Sequence, residues 1–153
     1  MAGKKHEENI NKIKPENYSP RQIMNTANSF LAAVHMCNKN PTVEMVGWGH
    51  PLIVPIVTNA AFACELFLKA LLQKNNRLKS SHRLLDLFQA LPGEIKDDII
   101  SLKDGELFIK ELTKISCLFE EWRYIYERQL ISLNFKFLVN FAEELSAITN
   151  KTV

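Results

Sequence analysis

The sequence predicts an all-α fold, an antiparallel bundle of about five to six helices in one domain. Glycine is scarce, with five in 153 residues, where an all-β domain of this size would need many more for its turns. Apolar residues recur at spacings of three and four through most of the chain, the period of a helix with one buried face. The length suits a single core, and burial of roughly 70% of the unfolded chain's surface lets it fold without a disulfide or a structural metal.

Residues 1–17 are polar and aperiodic and read as a flexible arm ahead of a helical domain over 18–153. The first helix has a clear start. Ser19 is placed as N-cap, Pro20 at the first helical position, Gln22 as a capping-box partner, and Tyr18 with Ile23 as a hydrophobic staple. Ile23, Ala27, Phe30, Leu31 and Val34 then share a face, and the run ends at Asn38-Lys39-Asn40-Pro41. A loop over 41–51 holds Trp48 and His50. The second helix, starting at Leu52 or Pro55 and ending near Gln73, is apolar nearly all round, as the central helix of a bundle should be. A third is expected over about 82–90, with Leu84, Leu87 and Phe88 on one face. A short fourth begins at Pro92-Gly93 and repeats Ile95, Ile99 and Leu102. A long fifth covers about 106–129, its seam formed by Phe108, Leu112, Ile115, Phe119, Trp122 and Tyr126. A sixth, over about 134–149, turns Leu138, Phe141, Ala142, Leu145 and Ile148 inward.

Composition excludes several function classes. The net charge of +2 provides no global field for nucleic acid, so any such binding must come from a local patch. The most apolar run, 51–64, is too short for a membrane span, which takes roughly 18 or more apolar residues, and Glu65 and Lys69 follow it. Cys37, Cys64 and Cys117 are dispersed and read as buried free thiols rather than ligands or a disulfide framework. The N-terminal residues lack the apolar stretch of a signal peptide. With free thiols, this leads to an expectation of a cytoplasmic protein without metal or cofactor. Phosphate-cradling glycine loops and the nucleophile-elbow and zincin signatures do not occur. Glu94, Asp97 and Asp98 sit at a helix start, where the dipole favours acids.

Three groups of residues remain as carriers of chemistry. Glu65 and Lys69 are four apart on the apolar second helix, in the favourable order for a helical ion pair. They either pair on an exposed sliver of that helix or meet charges from the fifth, because a buried charge is costly without a partner. Glu120, Arg123 and Glu127 share one face of the fifth helix, with Tyr126 beside them. The planar guanidinium of Arg123 suits phosphate through two parallel charge-assisted bonds, while the same residues also make an ordinary solvated charge ladder. His82 follows Ser80-Ser81 at the start of the third helix, where histidines most often cap or pack. His6, His35 and His50 belong to no visible constellation.

Taken in order, the stretches NAAFACELFLKALL over 59–72, SHRLLDLF over 81–88 and FEEWRYIYE over 119–127 resemble the HEPN superfamily, whose name stands for higher eukaryotes and prokaryotes nucleotide-binding. The resemblance covers about residues 20–149. It implies a HEPN-like helical bundle that dimerises. In catalytic members it implies a metal-independent ribonuclease with the pattern R-x(4–6)-H, in which 2′-hydroxyl attack cleaves RNA at the dimer cleft. Arg123 matches the arginine. Positions 128–130, where the histidine should fall, are Arg128, Gln129 and Leu130. The usual general acid/base is therefore missing, and Tyr126, Glu127 or His82 would have to take its place.

The expectation is an RNA-processing or toxin-type protein of a prokaryotic defence or stress system. Its site would be a polar dimer cleft, with Arg123 on the scissile phosphate, Tyr126, Glu127 or His82 handling protons, and Glu65, Lys69 and Arg128 supporting RNA or nucleotide. A nucleotidyltransferase-type antitoxin would be its partner. The alternative is a non-catalytic HEPN-like module that binds RNA, nucleotide or a partner protein through the same cleft. A homodimer is expected on either reading, because the second helix is too apolar for one short bundle to cover and a two-fold dimer would bring both Arg123 side chains to one cleft. Light scattering should give about twice the 17.6 kDa of one chain; a monomer at all practical concentrations contradicts this.

Overall fold

Ser19 and Pro20 begin the first helix as their chemistry requires. The Ser19 hydroxyl accepts from Gln22 N at 3.3 Å, and α1 runs Pro20–Asn38. In the computed structural model, which describes residues 14–39, 52–122, 124 and 134–153, α1 is followed by α2 (Ile53–Lys74), α3 (Leu84–Ala90), α4 (Gly93–Ile100), α5 (Gly105–Ile115), α6 (Leu118–Trp122) and α7 (Phe135–Thr152). No strand occurs among the described residues, so the architecture is an all-α bundle. The N-terminal arm predicted over 1–17 ends in a 3₁₀ turn, Pro15–Asn17. Gln73 on α2 pins that turn by donating to the carbonyls of Pro15, Glu16 and Tyr18.

The bundle is organised around α2. Its most extensive pairing is with α1, followed by α7, α6 and α3. Ala60, Ala61, Ala63 and Ala70 are fully buried and let the neighbours approach closely, while Phe67, Leu68, Leu71 and Leu72 fill the space between helices. By length and composition α2 could cross a membrane, but more than half of its most apolar window is buried inside the bundle, which is how the core helix of a folded domain satisfies the same pattern. Cys64 is fully buried there, and burial pushes its thiol far above the ordinary range, so it is a neutral packing group. Cys37 and Cys117 are free and only half-buried.

Pro55 falls in the first turn of α2, where its missing N–H breaks no helical bond. At the other end Asn75-Asn76 stops the helix. Asn76 takes the left-handed conformation at φ 53. Arg77 N then donates to Leu72 O at 2.8 Å and Asn76 N to Gln73 O at 3.1 Å, the paired bonds of a Schellman turn. The chain reverses here, so residues 77–83 return beside α2.

Three expectations need correction. The long helix predicted over 106–129 is interrupted: α5 stops at Ile115, a turn holds Ser116-Cys117, and α6 starts at Leu118. The cause is a capping role for buried Ser116, whose carbonyl accepts from Leu84 N and whose hydroxyl accepts from Leu85 N, each at 3.0 Å. These are orphan donors of the α3 N-terminus, which has no side-chain cap of its own. The second correction is that α3 begins at Leu84, leaving His82 in the connection before it. The third concerns Leu102, grouped with Ile95 and Ile99 in the repeat of the fourth helix. It lies beyond the end of α4 and is 98% exposed. Much of the remaining core matches the helical pattern, although Ile23, Phe30, Phe119 and Ile148 are only partly buried and Thr149 is buried beside Ile148. Leu31, Val34, Leu87, Phe88, Leu112, Leu138 and Leu145 are all buried.

Ser116→Ala should remove one of the two caps on α3 and lower stability by about 1 kcal/mol, within the range of N-cap losses. Chemical denaturation checks this. The Leu84 bond to the carbonyl persists in the variant, so global unfolding is the outcome that contradicts the assignment.

Candidate functional site

Glu65 lies on the central helix with its side chain 1% exposed. A carboxylate so deep needs compensation, because desolvation costs several kcal/mol even after relaxation. Two groups provide it. Lys69, one turn along α2, donates from Nζ to Oε1 at 2.7 Å, and His82, delivered by the returning connection, donates from Nδ1 to the same oxygen at 2.9 Å. Oε2 is buried with no hydrogen-bond partner among the described residues.

The connection is shaped to place His82. The Ser81 hydroxyl accepts from Arg83 N at 3.1 Å and donates to Asp86 on α3 at 3.2 Å. Together with the Schellman turn at one end and the Ser116 cap at the other, this fixes the segment on both sides of the imidazole. His82 is 60% exposed although the oxygen it binds is buried. With Nδ1 donating to Glu65, the neutral ring carries its lone pair on Nε2.

Lys69 and His82 border a groove of about 450 Å³. Its apolar side includes Tyr18, Leu66 and Leu78, and its polar side adds Lys79 and Ser80. A second groove, of about 250 Å³, lies between α5 and α7, lined in part by Leu107, Phe108, Phe137 and Phe141. The acids there are already engaged. Asp104 caps α5, Glu144 pairs with Lys103 at 2.6 Å, and Glu111 accepts from Lys114 at 2.7 Å. The Lys114 bond holds the Glu111 carboxyl below its ordinary range against a smaller opposing effect of burial. The groove beside His82 is the one that offers a partly free imidazole and an ammonium.

Of the residues singled out from sequence, the structure brings Glu65, Lys69 and His82 together. The pairing of Glu65 and Lys69 is internal and nearly dry, not a surface pair on an exposed sliver, and His82 is the third member among the described residues. Arg123, Tyr126, Glu127 and Arg128 lie outside the described residues, as do His6, Trp48 and His50. Phe119 stacks on Phe62 of α2 with ring centres 4.4 Å apart and planes inclined by 17°. This stack seats α6 on α2 one turn before Glu65. His35, left without a constellation in the sequence, pairs with Glu143 across α1 and α7.

No grouping of three or more histidine, cysteine or acidic residues suited to a metal occurs among the described residues. Comparison with protein-family models, curated proteins and solved structures gives no match.

Lys69→Met should leave the Glu65 carboxylate with His82 alone. The expected cost is about 2–3 kcal/mol, below the 3–5 typical of a fully buried pair because Lys69 retains some contact with water. Urea titration measures it. Combining the change with Glu65→Gln should restore much of the loss, since the buried charge is then gone, and strict additivity would show that the two residues are not coupled.

Proposed function

We propose that this chain is a HEPN-like protein that acts on RNA, with His82 supplying the imidazole absent at positions 128–130. The observation that carries the reading is the pairing of His82 Nδ1 with the buried Glu65 carboxylate, which leaves Nε2 without a hydrogen bond among the described residues, beside a groove that also holds Lys69. A carboxylate behind an imidazole orients the ring, selects the tautomer and stabilises the imidazolium once a proton is taken. Arg123 is proposed as the phosphate-holding group. It follows Phe119 by four residues, and Phe119 packs on α2 one turn before Glu65.

The chemistry that suits these groups needs no metal. Nε2 of His82 takes the proton from a ribose 2′-hydroxyl, and the 2′-oxygen attacks the adjacent phosphorus. The bond from phosphorus to the 5′-oxygen breaks, leaving a 2′,3′-cyclic phosphate, and the departing oxygen takes up a proton. Lys69 and Arg123 stabilise charge on the phosphoryl oxygens. Tyr126 and Glu127 remain proposed alternatives for the proton-transfer role, and Arg128 a proposed phosphate contact. A homodimeric cleft, a cytoplasmic setting and a toxin-type role with a nucleotidyltransferase-type antitoxin belong to the same proposal; the dimer rests on the resemblance alone, because α1, α3, α6 and α7 of one chain already cover α2.

The non-catalytic reading has its own support. The R-x(4–6)-H pattern is incomplete in this sequence, and Lys69 is already satisfied by Glu65. A module of that kind would bind RNA or nucleotide and stop there.

Incubating the chain with end-labelled RNA in EDTA separates these readings. Catalysis predicts cleavage with cyclic-phosphate ends, reduced at least about 100-fold in His82→Gln and in Arg123→Ala, the scale of general acid–base contributions. His82→Gln removes one of the two donors to the buried Glu65 carboxylate, so a stability cost of about 1–3 kcal/mol is expected, and activities are compared at a temperature where circular dichroism shows both proteins folded. Binding without cleavage selects the module reading, and a parent that neither binds nor cleaves RNA overturns both.

A further inference from the structure

The connection between α2 and α3 is a cationic segment without a single acid. Residues 74–83 contain Lys74, Arg77, Lys79 and Arg83 and no aspartate or glutamate, and the rest of the protein together carries a net −2. All four cations are exposed. The ion pairs found among the described residues involve none of them. They lie within one segment of ten residues fixed at both ends, through the Schellman turn at Asn76 and the Ser116 caps on α3. Lys79 of this segment also lines the groove that holds Lys69, His82, Tyr18, Leu66 and Leu78. Tyr18 is 41% exposed and so presents ring surface to the groove.

We propose that this connection is a binding track for a single strand of RNA: Arg77, Lys79 and Arg83 take successive phosphates, and the groove beside Tyr18 seats one unstacked base. The inference rests on the RNA reading above and adds to it the strand's path away from His82. Three features favour a single strand over other polyanions. Unpaired cations in a short segment match closely spaced phosphates. An exposed tyrosine beside leucines offers a stacking surface that every base can use. A base must also be splayed out of a helix to enter such a groove, which duplex RNA does not allow. An acidic peptide or an anionic membrane would use the charge but leave the apolar side of the groove without a function.

The test is fluorescence anisotropy of the full chain with a labelled mixed-sequence oligoribonucleotide over a range of salt concentrations. The comparison uses Arg77→Gln, Lys79→Gln and Arg83→Gln combined, and Tyr18→Ala alone. All four positions are exposed, and circular dichroism melts should confirm that the variants fold. The triple variant should bind at least tenfold more weakly. Its slope of log affinity against log salt should flatten by about 2, at about 0.7 for each single-strand phosphate that is no longer neutralised. Tyr18→Ala should weaken binding about tenfold with the slope unchanged. If the parent binds RNA and the triple variant keeps both its affinity and its slope, the track is wrong while the RNA reading stands. If the parent binds no RNA, both fall. Equal affinity of the parent for phosphatidylserine vesicles or polyglutamate would also overturn the track, by showing a surface that selects charge alone.

Discussion

The burial of α2 governs the rest of this molecule. A helix that is apolar on almost every side cannot rest against one partner, and here α1, α3, α6 and α7 each cover part of it. Each fully buried leucine or phenylalanine contributes about 1.5–3 kcal/mol relative to exposure, so any arrangement that leaves a side of α2 open forfeits several such terms. The short helices α3 and α6 follow from that demand. An unbroken continuation of α5 would carry no Ser116 turn. Without that turn the start of α3, which brings Leu84, Leu87 and Phe88 to the core, would lose the acceptors for its first amides. Interrupting one helix allows another to dock.

In such a helix Glu65 is an energetic anomaly. A leucine at this position would add core contacts, and buried ion pairs replaced by well-packed apolar residues are often neutral or more stable. The cluster of Glu65, Lys69 and His82 is therefore poorly explained as a device for stability. It is better explained by what it holds in place, an imidazole anchored through one nitrogen with its other side toward solvent. The backbone arrangement points the same way, because three separate local devices converge on the placement of His82. These are the left-handed Asn76, the Ser81 hydroxyl between Arg83 and Asp86, and the Ser116 cap.

Much of the fold was legible because its signals are local. Ser19-Pro20 marks a helix start, Asn75-Asn76 a stop, and the apolar period identifies the buried faces. The break at Ser116 was not legible. The residues around it keep a helical period through Phe119, and the reason for the turn is an acceptor needed by Leu84 and Leu85, some thirty positions earlier. For the site, Glu65 with Lys69 was visible as a helical pair and His82 as a lone histidine. Their union depends on the reversal after α2, which the sequence marks only by the polar pairs Asn75-Asn76 and Ser80-Ser81 that bracket it. The pairing of His35 with Glu143 had no such sign, since it depends wholly on the docking of α7 against α1.

The two histidine–carboxylate pairs show why geometry matters more here than the count of charged contacts. In the pair of His35 and Glu143, the side chains are 44% and 46% exposed. Water screens both members, and such a pair contributes about 0–1 kcal/mol. In the pair of His82 and Glu65, the histidine is as open as any surface residue while the carboxylate is at 1%. That asymmetry joins a low-dielectric anchor to a solvent-facing ring. The anchor makes the hydrogen bond stronger and the ring orientation more definite than an exposed pair could, and the exposure leaves Nε2 accessible to a ligand. A histidine serving only to neutralise Glu65 would gain by being buried with it, next to the Oε2 atom that has no donor among the described residues. The ring instead lines the groove at the end of the cationic connection, and that position is what supports the proposed site.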